Sequence, residues 1–146
     1  MSEMLRIEMD GPVAHLILNR PEKRNALSAE LVEHMYQAML SLNANDSLRV
    51  VVIRSADKPF CAGADLGYLT QLRSNTLEEN EADSQRLRQL FDAIYLSPKY
   101  IISQVEGPAL AGGCGLATLA DCCVATPDAT FGYTEVKIGF IPALVM

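Results

Sequence analysis

The sequence predicts an α/β fold, and three observations predict it. Short apolar runs of strand length alternate along the chain with longer stretches of helical periodicity. Val50-Val51-Val52-Ile53 is a continuous apolar run that fits a strand covered on both faces, and Gly/Pro-rich junctions separate one kind of segment from the other. The chain has 146 residues, 49% of them hydrophobic, a length and composition that suit a single domain over residues 1–146 with a sizeable core.

The elements follow in order. Val13-Ala14-His15-Leu16-Ile17-Leu18 reads as a strand, hairpinned to Leu5-Arg6-Ile7-Glu8-Met9 across the turn Asp10-Gly11. Asn19 to Asn25 is a polar loop. Ser28 then N-caps a helix whose apolar stripe runs through Leu31, Met35, Met39 and Leu42, and residues 50–53 form the next strand. Thr76 and Glu79 have capping-box spacing, and Leu87, Leu90, Phe91 and Ile94 share one helix face until Pro98 forbids continuation. Ile101 to Val105 is a strand, a Gly/Pro loop follows, a short helix runs from about Gly113 to Ala120, and Cys122 to Ala125 is another strand. Ile138 to Met146 closes the chain as an apolar run, either an element tucked into the core or a sequence that stops inside a domain.

Composition removes several functions. The net charge is −6, and the densest charge run, Glu78 to Asp83, is acidic, so it repels polyanions and argues against a nucleic-acid partner. Apolar stretches are interrupted well short of a membrane span, and Met1 to Arg6 carries no targeting pattern; the expectation is a cytoplasmic protein with no membrane partner. Cys61, Cys114, Cys122 and Cys123 form no CxxC pair and sit among small or apolar residues, which reads as buried free thiols and no metal site. Neither His15 nor His34 has a Ser/Asp arrangement beside it, which disfavours a triad hydrolase.

Two segments combine backbone freedom with a position after an apolar strand: Phe60-Cys61-Ala62-Gly63-Ala64-Asp65-Leu66, and Gly107-Pro108-Ala109-Leu110-Ala111-Gly112-Gly113-Cys114-Gly115. Both read as strand-to-helix junctions, where the first helical N–H groups lack an internal acceptor and can hold an anion or a developing oxyanion. The second imitates two phosphate loops. Gly107 to Gly112 has P-loop glycine spacing, but Gly113-Cys114 stands where Lys-Ser/Thr is required. Gly113 to Thr118 approaches a dinucleotide fingerprint with Glu135 downstream, but Thr118 replaces the packing glycine, leaving a dinucleotide-binding domain as a distant third reading.

Four segments in order, Asn19-Arg20-Pro21 with Asn25-Ala26-Leu27, Phe60 to Leu66, Ala111 to Ala117, and Phe131 to Gly139, resemble the successive signature segments of the crotonase (enoyl-CoA hydratase/isomerase) family over nearly the whole chain. The resemblance implies a spiral of ββα units, truncated here before the C-terminal helices, since family members continue for roughly another hundred residues. It implies an acyl-CoA substrate, with coenzyme A present as part of the thioester and no tightly bound cofactor, and homo-oligomers, trimers or hexamers, in the full-length family. It also implies roles. The backbone N–H groups of Ala64 and Gly112 would stabilise the oxygen of a thioester enolate, and Glu135 would move the proton. Ala26, Ala62, Ala64, Asp65 and Leu66 would lie along the acyl-CoA, with Lys23 or Arg24 near the phosphates of the coenzyme.

This sequence departs from the family pattern at Gly115, where hydratases of the family generally carry a second glutamate. Hydration is usually divided between two carboxylates, whereas a 1,3-proton shift needs one base. Gly115 therefore pulls toward an enoyl-CoA isomerase with Glu135 as sole base, and the segment Gly132 to Pro142 toward a hydratase. Hydration of a 2-enoyl-CoA stands first, isomerisation second. A non-catalytic acyl-CoA-binding or interaction module is the alternative of another class.

Overall fold

The computed structural model describes residues 4–139. Its elements run β1 (Leu5–Asp10), β2 (Val13–Leu18), α1 (Ala29–Ala44), β3 (Val50–Ser55), α2 (Leu66–Leu72), α3 (Leu77–Tyr95), β4 (Tyr100–Val105), β5 (Pro108–Leu110), α4 (Gly112–Thr118), β6 (Cys122–Ala125) and β7 (Thr130–Gly132), with 3-10 turns at Pro21–Lys23 and Glu135–Ile138. The expected α/β organisation is present. The closing run Ile138 to Met146 falls largely outside the described residues.

Five strands form one sheet in the order β1-β2-β3-β4-β6. The hairpin β1/β2 is antiparallel, pairing Leu5 with Leu18 and Asp10 with Val13, and Gly11 supplies the positive φ that its two-residue turn requires. Every later pairing in this sheet is parallel, so each return to it needs a crossover. The helix α1 provides the first, α2 and α3 the second, and β5 with α4 the third.

The core forms where α1 and α3 press on one face of the sheet. Alternation along β2 sends Ala14, Leu16 and Leu18 into it, and β3 adds Val51 and Ile53. The predicted stripes meet them: Leu31, Met35, Met39 and Leu42 from α1, Leu90, Phe91 and Ile94 from α3. Both predicted caps are made. The Ser28 hydroxyl accepts from the Leu31 amide, and Thr76 with Glu79 forms a reciprocal capping box, each closing orphan donors of the first turn. Among the described residues no helix is long and apolar enough to cross a membrane.

Two local expectations are corrected. Residues 108–110, read as part of a loop, form β5, which pairs in parallel with β7 in a small second sheet. Three residues opening on a proline carry no periodicity of their own, and the partner strand makes them a strand. The cysteines divide: Cys61 and Cys114 are buried, Cys122 is half-buried and Cys123 is exposed. Cys123 belongs to β6, which among the described residues pairs with β4 alone and stands last in the sheet.

Candidate functional site

The site is built by three chain segments stacked in layers. In the first, Arg24 and Asn25 both adopt left-handed backbone, φ 50° and 54°, a conformation Asn tolerates better than most residues. This turns the Asn25 side chain inward, where it is almost fully buried. Its Oδ1 accepts from the Arg20 amide at 2.7 Å, and its Nδ2 donates to Ser55 Oγ at 2.8 Å and to the carbonyls of Pro59 and Phe60 at 3.0 and 3.1 Å. One side chain thus fastens the first layer to the second.

Leu27 completes the join. Its amide donates to the Gly63 carbonyl at 2.7 Å, and its carbonyl accepts from the Asp65 amide at 3.0 Å, making a parallel bridge with Ala64 between them. In a parallel bridge the bracketed residue turns its own N–H to the opposite side. The Ala64 amide donates to no protein acceptor among the described residues. It is free because of this bridge rather than because it opens a helix, as the sequence suggested: the amides at the start of α2, those of Gly67 and Tyr68, are taken by Asp65 Oδ1 at 2.9 and 3.3 Å. The other oxygen of Asp65 pairs with Arg20 at 3.0 Å, and Arg20 also donates to the Ala26 carbonyl at 2.9 Å. Both charged side chains are largely buried, so the pair depends on these hydrogen bonds to offset desolvation.

The third layer stacks on the second through a bridge between Cys61 and Ala109, with Leu110 donating to the Cys61 carbonyl at 2.9 Å. Ala111 follows with φ 51° and ψ −126°, a region costly for an L-residue. Its amide is anchored to the Gly132 carbonyl at 2.7 Å, and its carbonyl accepts from Cys114 and Gly115. The next amide, that of Gly112, is the first of α4 and likewise has no protein acceptor among the described residues. Close approach of the layers requires Gly63, φ 89°: a Cβ there would lie 2.7 Å from Ala111 Cβ and 3.4 Å from the Gly112 nitrogen. The free amides of Ala64 and Gly112 therefore belong to adjoining layers.

Both residues line one cavity of about 450 Å³, within the range of small-molecule sites. Glu135, from the 3-10 turn after β7, lines it too, and its Oε2 is buried without a hydrogen-bond partner among the described residues. Apolar walls come from α1 (Ala29, Val32), α2 (Leu66, Leu69) and α3 (Leu87).

Of the other residues singled out in the sequence, Ala62 and Leu66 line the cavity, Leu66 with 74% of its surface exposed. Ala26 is buried behind it. The carboxylate of Asp65 is committed to α2 and Arg20. Lys23 and Arg24 lie exposed on the first-layer loop, beside Ala62, whose amide donates to the Arg24 carbonyl at 3.0 Å. Gly115 is buried inside α4.

The sequence reading gave no role to Arg20 or Asn25, which hold the layers together, nor to Asp83 and Arg86 of α3, which line the cavity. The Asn-Arg-Pro and Asn-Ala-Leu segments held the signal for the first two; the second two are indistinguishable in sequence from an ordinary solvated acidic face. Desolvation pushes the Asp83 carboxyl above its ordinary value, opposed by the charge of Arg86. Burial pushes the Cys61 thiol up to about 12. Among the described residues no group of three or more His, Cys, Asp or Glu side chains is placed to hold a metal ion.

The family model for enoyl-CoA hydratase/isomerase matches residues 8–146. A Thermus thermophilus protein named "Putative enoyl-CoA hydratase" is 45% identical over 97% of this chain and 56% of its own length. A peroxisomal Delta(3,5)-Delta(2,4)-dienoyl-CoA isomerase of Arabidopsis thaliana is 31% identical over 97% of this chain and 54% of its own. The crystal structure of an enoyl-CoA hydratase from Shewanella pealeana superposes with a TM-score of 0.93 at 32% identity, covering 97% of this chain and 54% of that one. The chain spans about half the length of the curated relatives it matches.

Proposed function

Since the chain belongs to the enoyl-CoA hydratase/isomerase family, we propose that it processes an acyl group held as a coenzyme A thioester, by hydration of a 2-enoyl-CoA. What supports this reading is that Ala64 and Gly112, whose amides have no protein acceptor among the described residues, line one cavity with Glu135, whose Oε2 has no hydrogen-bond partner there. The thioester oxygen takes the Ala64 and Gly112 amides as donors. As water adds at Cβ, negative charge moves through Cα onto that oxygen, and preorganised donors of this kind are each worth about 3 kcal/mol of barrier. Glu135 takes the proton of the attacking water and returns it to Cα as the thioester enolate collapses, so the base ends as it began. Small residues suit positions 62, 64 and 112 because the backbone makes the contact, and Lys23 or Arg24 meets the phosphates of the coenzyme. The coenzyme comes and goes with the substrate, and no other cofactor is needed for this addition. The working setting is a cytoplasmic homo-oligomer, a trimer or hexamer.

Isomerisation is the second reading. Gly115 favours it, because Glu135 alone could remove a proton from one carbon and return it to another, and a relative 31% identical to this chain is named as a dienoyl-CoA isomerase. A non-catalytic acyl-CoA-binding module is the third reading, favoured by Gly115, which leaves the site without the second carboxylate that hydration usually uses. All three readings share the thioester site.

The test is Glu135→Gln, assayed with crotonyl-CoA for hydration and a 3-enoyl-CoA for the double-bond shift. Turnover of one substrate should disappear while thioester binding persists. Undiminished turnover, or loss of binding with the fold intact, would remove Glu135 from the proposed role. Saturable binding by the unaltered protein with no turnover of either substrate would move the conclusion to the binding module.

A further inference from the structure

One stretch of the cavity wall is polar where its neighbours are not. On α3 the core-facing stripe runs through Leu87, Leu90, Phe91 and Ile94, and one turn before it the same helix presents Asp83 and Arg86 to the cavity. The two meet only as an ion contact of 3.8 Å, too long for a hydrogen bond. Neither side chain has a hydrogen-bond partner among the described residues. Asp83 is the more enclosed, 19% exposed against 50% for Arg86, and its carboxyl is desolvated. Around them stand Leu66, Leu69 and Leu87. An acceptor and a donor lacking partners beside apolar space favour a ligand group that can both give and take a hydrogen bond.

Resting on the acyl-thioester reading above, we infer that Asp83 and Arg86 select acyl chains carrying a hydroxyl away from the thioester in preference to plain alkyl chains. The hydroxyl donates to Asp83 and accepts from Arg86, while its carbon chain lies along the leucines. A plain alkyl chain covers the enclosed Asp83 carboxylate without giving it a hydrogen bond, which a site built for hydrogen bonding penalises. A carboxylate at the same place would gain from Arg86 but be repelled by Asp83.

The experiment is equilibrium binding, by calorimetry, of saturated C4 to C8 acyl-CoA thioesters ending in methyl, hydroxyl or carboxylate. Saturated thioesters bind without turnover, so affinity is read directly. At the best-fitting length the hydroxylated thioester should bind about tenfold tighter than its alkyl match. Asp83→Ala should erase that ratio, and Asp83→Ala with Arg86→Ala should invert it by leaving an apolar wall. Both positions lie on a helix and are partly exposed, and alanine suits a helix, so melting curves should stay close to the unaltered protein's. Equal or better binding of the alkyl or carboxylate series, or a hydroxyl preference unchanged in the double variant, overturns the selectivity while leaving the thioester site standing. Failure to bind any thioester overturns that site and the selectivity together.

Discussion

Two adjacent glycines should respond very unequally to the same added methyl group. Gly113→Ala would place a Cβ on the carbonyl oxygen of Cys61, 2.8 Å from its carbonyl carbon and 2.7 Å from its Cβ. That carbonyl cannot turn away, because it accepts from Leu110 in the bond that stacks the second and third layers. Relief requires α4 to move by most of an ångström against residues 60–62, and overpacking of this kind costs about 3 kcal/mol when backbone must yield. The gain in helix propensity from Gly to Ala returns about 1 kcal/mol, leaving a net loss of roughly 2 kcal/mol. At position 112 the nearest atom to the new Cβ is the tip of Leu27 at 3.4 Å, an ordinary contact with a side chain that can shift. Gly112→Ala should therefore fold within about 0.5 kcal/mol of the parent. Urea denaturation followed by circular dichroism measures both variants under one condition. If Gly113→Ala proved as stable as the parent, or less damaging than Gly112→Ala, the stacked geometry of α4 against Cys61 would be wrong.

Asn25→Ala removes four hydrogen bonds in a buried setting and puts alanine at φ 54°, so it should cost about 3 kcal/mol or more, whereas Asn25→Gly, free of the φ penalty, should be milder by about 1 kcal/mol. Equal denaturation midpoints for the two variants would remove the backbone part of that account. Iodoacetamide at pH 8 should label exposed Cys123 in the native protein and leave Cys61 untouched until unfolding; mass spectrometry finding Cys61 labelled as fast as Cys123 would contradict its burial. Burial raises the Cys61 thiol from 9.0 to about 12, so it binds its proton more tightly folded than unfolded, and stability should fall as pH climbs from 9 toward 12. Cys61→Ala should flatten that part of the pH–stability curve.

Elements with their own periodicity or caps were legible in the sequence: the β1/β2 hairpin, α1 behind Ser28, α3 behind Thr76 and Glu79. Those that exist only through a neighbour were not. β5 and β7 are three residues each and become strands by pairing with one another. Cys122 to Ala125 reads as a buried strand because it is apolar, yet nothing in its own sequence says that among the described residues it pairs on one side alone and leaves Cys123 in the open. The candidate site divides in the same way. Glycine-rich junctions marked the two segments and the family resemblance singled out residues 64 and 112 within them, but the reason the Ala64 amide is free is a bridge to Leu27, thirty-seven positions earlier, which no local pattern encodes. Asn25 stood in a segment that the resemblance marked, yet nothing in a polar loop tells that its side chain is among the most buried.

The bridges at Leu27 with Ala64 and at Cys61 with Ala109, continued by β5 on β7, are rungs wound by successive passes of the chain. Neighbouring rungs of a parallel ladder stand about 4.8 Å apart whatever side chains they bear. The gauge between the layers that carry the two free amides is thus a lattice constant of the coil, inherited from main-chain geometry. Surrounding side chains can be exchanged to retune which molecules enter without re-engineering that gauge, whereas inserting a single residue between rungs would throw it out of step.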